Sequence, residues 1–257
     1  MIFTFKRIIS PTLICIVLCI NFSCKKMDIT PSVTQRGGLA LTFDDHYIDN
    51  WFPYMDLLDS MGVKATFYIS NYNKFTAAQK AKLHKLQEHG HEIAFHSTTH
   101  ANFLKESNSG GCDKLIKEEV IAGLELMNKD GFYPTTFAYP FGKHSEVLDK
   151  LLYKYFKSVR ALNGTQDLTR SLASLENNKL LYGLGIDETS KRSMDKIKGL
   201  LFLAQQTNHC AVLLVHNIQR TDTDMQIPVW KLKEVLTNAI SLHLKFYTIS
   251  EISRQKL

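Results

Sequence analysis

The sequence predicts an α/β fold: a closed or nearly closed barrel of about seven parallel strands with outer helices. Three observations predict it. Short apolar, β-branched segments alternate with segments of helical apolar spacing, the pattern of βα units in a parallel sheet. The alternation recurs about seven times. The residues best suited to chemistry fall just past strand ends, where a parallel barrel carries its site.

The elements follow in order. "LALTF" (39–43) is an apolar strand that ends in two carboxylates, Asp44 and Asp45. "WFPYMDLLDSMG" (51–62) carries helical spacing through Leu57, Leu58 and Met61 and is stopped by Gly62. "KATFYIS" (64–70) is a strand. "TAAQKAKLHKLQEHG" (76–90) is a helix with Thr76 as N-cap and Gly90 as its stop. "HEIAF" (91–95) is the next strand, followed by a helix over 117–128 and the short strand "TTFAY" (135–139). A helix near "SEVLDKLLYKYF" (145–156) precedes a strand over 157–161. Ser190 is placed as the cap of a helix ending near Gln206. "CAVLLVH" (210–216) is the most hydrophobic strand after the leader. Pro228 opens a helix running to about His243, and "LKFYTIS" (244–250) is expected to be the final strand.

Composition bounds the function. The chain has 257 residues, 44% hydrophobic and 22% charged, enough for one domain whose core needs no disulfide staples. Net charge is +6, with Lys6 and Arg7 contributing two of the positive charges, and the rest are scattered. Without a basic tract interleaved with aromatics, nucleic acid is not an expected partner. Residues 1–23 read as a leader: a basic start, an apolar run from Ile8 to Ile20 too short to span a bilayer comfortably, then Ser23 before Cys24. This resembles a bacterial lipoprotein signal, with Cys24 lipidated, residues 24–37 a linker and 38–257 the catalytic domain. The expected location is therefore an exported, membrane-anchored lipoprotein, periplasmic or on the outer surface. An ordinary secretory signal is the other reading. Cys112 and Cys210 remain in the body and are expected to be free thiols.

One constellation carries chemistry. Asp45 lies just past the first strand, and "HSTTH" (His96 to His100) just past the third. Histidines at i and i+4 are expected on one face of a helical turn. With Asp45 they supply three ligands to a divalent metal and leave a position open for water. Asp44 is then free to act as base, and the cation offsets the repulsion between neighbouring carboxylates. "FAYPFG" (137–142) turns sharply, so a main-chain N–H at Phe141 can meet a developing oxyanion. His216 emerges from an apolar strand, placed to act as general acid.

The ordered set "LALTFDD", "KATFYIS", "HEIAFHSTTH", "FAYPFG", "LLVHNI" and "FYTISEI", over about Gly38 to Ile252, resembles polysaccharide deacetylases of carbohydrate esterase family 4, the NodB homology group. The resemblance implies a distorted (β/α) barrel and hydrolysis of acetyl groups from an N-acetylated or O-acetylated polysaccharide. It implies Asp44 as base, Asp45, His96 and His100 as ligands to one divalent metal, Phe141 as oxyanion donor and His216 as acid. Zinc is the implied metal, with cobalt, nickel and manganese as alternatives. Leu214 would wall the pocket for the acetyl methyl. Tyr139, Pro140 and His46 are further candidates for the substrate pocket, with core packing the competing role for Tyr139 and a surface position for His46.

Two departures stand out. Family members often carry an Arg that orients the catalytic Asp, at the position of Ala138 here. They often have an Asp beside a Trp that tunes the catalytic His. "GLGIDET" offers Asp187 for that role without a Trp. These departures keep two alternatives open: a glycan-binding lipoprotein with little turnover, and a metal-dependent amidase on a small non-glycan substrate.

Overall fold

Gly38–Asp45 forms β1, and all eight residues are buried, as an inner parallel strand covered on both faces requires. In chain order the other strands are β2 (Ala65–Ile69), β3 (Glu92–Phe95), β4 (Thr136–Ala138), β5 (Ser158–Leu162), β6 (Leu172–Ala173), β7 (Leu180–Gly185), β8 (Cys210–Val215), β9 (Asn217–Ile218), β10 (Gln226–Ile227) and β11 (Lys245–Phe246). The computed structural model describes residues 37–220 and 223–254. The expected leader, Cys24 and the linker up to residue 36 lie outside the described residues. Among the described residues, no helix is long and apolar enough to cross a membrane.

Seven strands close the barrel, in the order β1-β2-β3-β4-β5-β7-β8 and back to β1. Closure is made by a six-residue parallel ladder from Gly38↔Cys210 to Phe43↔Val215. The fold is the α/β barrel that the sequence predicted. The strand count matches, but one member differs. β7 sits in the ring, whereas of "LKFYTIS" only Lys245–Phe246 pairs, lying beside the start of β1. The end of that segment turns helical because Thr248 and Glu251 form a capping box over Ile249–Ile252.

Alternation along the strands separates two cores. Leu39, Leu41, Phe43, Phe67, Phe95 and Phe137 pack outward beneath the helices. Ala40, Tyr68, Ala94, Ala138 and Val212 fill the barrel interior. Asp44 is in phase with Ala40, His96 with Ala94 and His216 with Val212. The apolar pattern therefore aims each of them inward at the carboxyl end.

Helix boundaries follow local chemistry. Thr76 caps Ala77–Glu88 through a capping box with Gln79, and Gly90 follows at φ +85°. Pro53 breaks the segment after β1 into Ile48–Trp51, a 3₁₀ turn and Met55–Ser60. The helix expected over 117–128 begins with a π turn, Lys117–Ile121, and is preceded by Phe103–Gly110 and Cys112–Ile116. Ser193, not Ser190, caps Met194–Thr207, its side chain accepting from the Lys196 N–H. Ser190 closes a short 3₁₀ turn instead. Cys112 and Cys210 are free thiols.

Candidate active site

Adjacent residues of a strand point to opposite faces, so Asp44 and Asp45 can share one site only if the backbone leaves the extended conformation. It does so at Asp45, whose φ is +87°. The turned chain is tied down by the Ser70 N–H, which donates to the Asp45 carbonyl at 2.9 Å. Both carboxylates are buried. A non-glycine residue held in this region costs about 1–3 kcal/mol, and such strain gathers at functional sites. Ser97, His100 and Phe141 share it, at φ +66°, +63° and +60°.

The two histidines do not sit on a helical turn as expected. His96 directly follows β3, and residues 96–101 form a loop whose left-handed positions, Ser97 and His100, fold the second imidazole back toward the first. The rings lie 5.0 Å apart between centroids. Glu119, on the π turn, holds this loop, accepting from the Thr99 N–H at 2.9 Å and its hydroxyl at 2.6 Å. π turns recur at functional sites, and this one sets a carboxylate beneath the loop.

Asp45, His96 and His100 bring three ligand atoms within 4.8 Å of one another. Asp45 Oδ1 lies 3.1 Å from His100 Nε2 and 3.5 Å from His96 Nε2. The Nδ1 of His96 is 2.7 Å from the Ala138 carbonyl, which fixes the tautomer and leaves Nε2 unprotonated. That Nε2 and Asp45 Oδ1 are buried and hydrogen-bond to nothing among the described residues. Buried polar atoms are normally partnered. This donor set fits a divalent metal. Burial raises the Asp45 pKa, but the adjoining imidazoles of His100 and His96 outweigh it and hold the carboxyl well below the usual range.

Ala138 stands where the resemblance led to an arginine beside Asp44, and another strand provides one. Arg160 on β5, buried inside the barrel, donates through its Nη2 to Asp44 Oδ2. Its guanidinium also lies over the Tyr68 ring, 5.1 Å from the centroid. Ala138 and Arg160 are paired across β4 and β5, so the cation comes from the neighbouring strand. Gly183 makes room for it: a Cβ there would sit 3.0 Å from Arg160 Cδ. Sequence reasoning missed Arg160. The signal was a lone arginine in "SVRAL", inside an otherwise apolar strand.

His216 is gripped by Asp187. Its main-chain N–H lies 3.2 Å from Asp187 Oδ1, and Nδ1 lies 2.6 Å from Oδ2. Burial acts to lower the His216 pKa, but Asp187 first, then Asp44 and Asp45, push it up to about 9. Trp51 stands behind the strand end, its indole N–H donating to the His216 carbonyl at 2.6 Å. A tryptophan therefore steadies this histidine from the segment after β1.

The turn after β4 exposes Phe141, whose ring lies 4.8 Å from that of His100. Gly142, at φ +66°, is required there because a Cβ would come within 2.1 Å of Leu162 Cβ. Tyr139, a pocket candidate, is turned into the core instead. It is 1% exposed, and its hydroxyl donates to Asp149 at 2.7 Å. Pro140 is buried and Leu214 is 3% exposed, at the rim of the barrel interior. His46 is exposed beside Asp45 and stacks on Tyr47 at 4.7 Å, and partial desolvation of its ring pushes its pKa down.

The polysaccharide deacetylase family model matches residues 32–155. Over those residues, a little under half of the chain, the sequence is similar to that family. Peptidoglycan-N-acetylglucosamine deacetylase PgdA of Listeria monocytogenes is 24% identical over 91% of this chain and 43% of its own length. A chitin deacetylase of Arthroderma benhamiae is 28% identical over 46% of this chain and 32% of its own. The chain thus spans less than half the length of these curated relatives. The chitin deacetylase structure from Colletotrichum lindemuthianum superposes with a TM-score of 0.60 at 19% identity, covering 87% of this chain and 90% of that one. The polysaccharide deacetylase barrel is common to both.

Proposed function

We propose that this protein is an exported, metal-dependent carbohydrate deacetylase that hydrolyses acetyl groups from an N-acetylated, or O-acetylated, polysaccharide. The observation that carries the reading is the junction of Asp44 and Asp45. One carboxylate faces two histidines and its neighbour is held by an arginine, which suits a metal ligand beside a base.

Asp45, His96 and His100 would hold the metal, and two imidazoles with one carboxylate favour zinc, with cobalt, nickel and manganese as alternatives. When bound, such a metal supplies a Lewis acid for the acetyl carbonyl and lowers the pKa of a water toward about 7. Arg160 fixes Asp44 Oδ2, leaving the buried, unpartnered Oδ1 to accept a proton from the attacking water. The Phe141 N–H would donate to the oxygen that gains charge. Asp187 keeps His216 protonated, so its Nε2–H can pass a proton to the departing amine or alcohol. Products are acetate and a deacetylated sugar.

The apolar leader supports export, and Cys24 supports a lipid anchor. A glycan-binding role with little turnover drew on the missing arginine and tryptophan, and Arg160 beside Asp44 and Trp51 behind His216 support turnover instead. The experiment is acetate release from acetylated chitin oligosaccharides, peptidoglycan and acetyl-xylan by zinc-loaded protein, with Asp44→Asn as control. Release from at least one substrate, lost in the variant, is expected. No acetate from any acetylated glycan would overturn the reading.

A further inference from the structure

We infer that the barrel face opposite the active-site mouth docks on an anionic phospholipid surface, with the mouth turned away from the bilayer. All seven barrel strands run parallel, so their first residues gather on that far face. Lys64, Lys157 and Lys179 each stand immediately before a strand, β2, β5 and β7, and Lys245 opens β11. All four are exposed, as is Arg254 at the end of the described chain.

These cations converge. Lys157, Lys179 and Arg254 line one hollow of about 750 Å³, and Arg254 also borders a second of about 310 Å³ together with Lys64. Among the described residues, none of the five forms an ion pair. Asp130 is engaged by Lys80 and Tyr72 and Asp59 by His89, while Glu251, which caps Thr248, and Glu92 border the second hollow.

Two large side chains complete the face. Tyr133, 71% exposed, lies in the loop before β4, and Tyr155, 39% exposed, lies in the turn before β5. Amphipathic rings beside basic residues suit the headgroup layer of a bilayer, and juxtamembrane cations are drawn to anionic lipid. The chain also enters the barrel on this side. Gly37 accepts from the Lys245 N–H and donates to Asn208, and the apolar run Ile8–Ile20 lies upstream of it. This inference rests on the exported part of the proposed function and is independent of the catalytic part.

The test places the full chain in vesicles of phosphatidylcholine alone, and of phosphatidylcholine with 30% phosphatidylglycerol. Lysine acetylation by an amine-reactive ester is then followed by mass spectrometry. Lys64, Lys157, Lys179 and Lys245 should react at least threefold more slowly on the anionic vesicles. Lys74 and Lys143, which follow strand ends on the mouth side, should not change. High salt should abolish the protection, because it screens surface charge. A Lys157→Gln, Lys179→Gln, Arg254→Gln variant should lose it while releasing acetate at the wild-type rate. Equal reactivity on both vesicles, protection of the mouth lysines, or protection by soluble polyphosphate alone would each overturn the inference. Because the labelling needs no turnover, it is read separately from any failure of the deacetylase assay.

Discussion

The guanidinium of Arg160, on β5, grips Asp44 at the end of β1, although 116 positions separate the two in the chain. The contact pairs a buried carboxylate with a buried guanidinium and fixes one of its oxygens. Breaking a buried pair from one side leaves an unpaired charge, at a cost of about 3–5 kcal/mol. Arg160→Ala should therefore lower the denaturation midpoint and reduce kcat by roughly 10- to 100-fold, the range for loss of an orienting partner. Adding Ala138→Arg should restore part of kcat, since the two positions are paired across neighbouring strands. A double variant no better than Arg160→Ala contradicts the orienting role.

Gly183 is expected to behave as part of the same device. Its hypothetical Cβ would lie 3.0 Å from Arg160 Cδ and 3.2 Å from Nη1, closer than side-chain atoms normally pack. Gly183→Ala should displace the guanidinium and lower kcat by about tenfold, with little change in KM. Steady-state kinetics on a soluble acetylated oligosaccharide read the split.

His216 is expected to set the alkaline limb of the rate. Its folded pKa is raised to about 9, above the ordinary value of 6.5, so the protonated form persists up to that pH and is lost above it. The stability that this pairing contributes is likewise full below 6.5 and lost as pH rises through 9. In Asp187→Asn the largest upward influence is gone, so kcat/KM should begin to fall at a lower pH. A bound cation lowers both limbs together, so the separation between wild type and variant is the quantity to measure. Superimposable pH profiles contradict the pairing.

Glu119 is expected to act on metal affinity without touching the metal. Glu119→Gln removes a carboxylate that takes two hydrogen bonds from Thr99, next to His100. Loosening an outer support of a ligand costs about 10- to 100-fold in affinity. Competition with a chromophoric zinc chelator measures it, and unchanged affinity would show that the loop stands without this anchor.

Much of this was legible in sequence because it is local. Asp44 after "LALTF", His96 after "HEIAF" and His216 after "CAVLLV" each follow an apolar run whose phase aims it inward. Relationships between strands were not legible. Arg160 aligns with Ala138 through strand pairing, which no spacing within one segment reveals. β7 was hidden because Gly183 and Gly185 make "LLYGLG" read as a loop, although Gly183 is what admits Arg160. "LKFYTIS" read as strand by its β-branched and aromatic content, while the T-x-x-E box that begins at Thr248 starts a helix. The histidine pair suggested a helical turn, yet strained left-handed residues bring the rings together, and no helix-capping or periodic signal marks such strain.

The most direct test is anomalous diffraction from a zinc-soaked crystal, recorded on both sides of the zinc absorption edge. One strong peak about 2.0–2.2 Å from a carboxylate oxygen of Asp45 and from Nε2 of both His96 and His100 is the expected result. A zinc-replete crystal with no peak between these three side chains, or with its ordered zinc held elsewhere, would contradict the account.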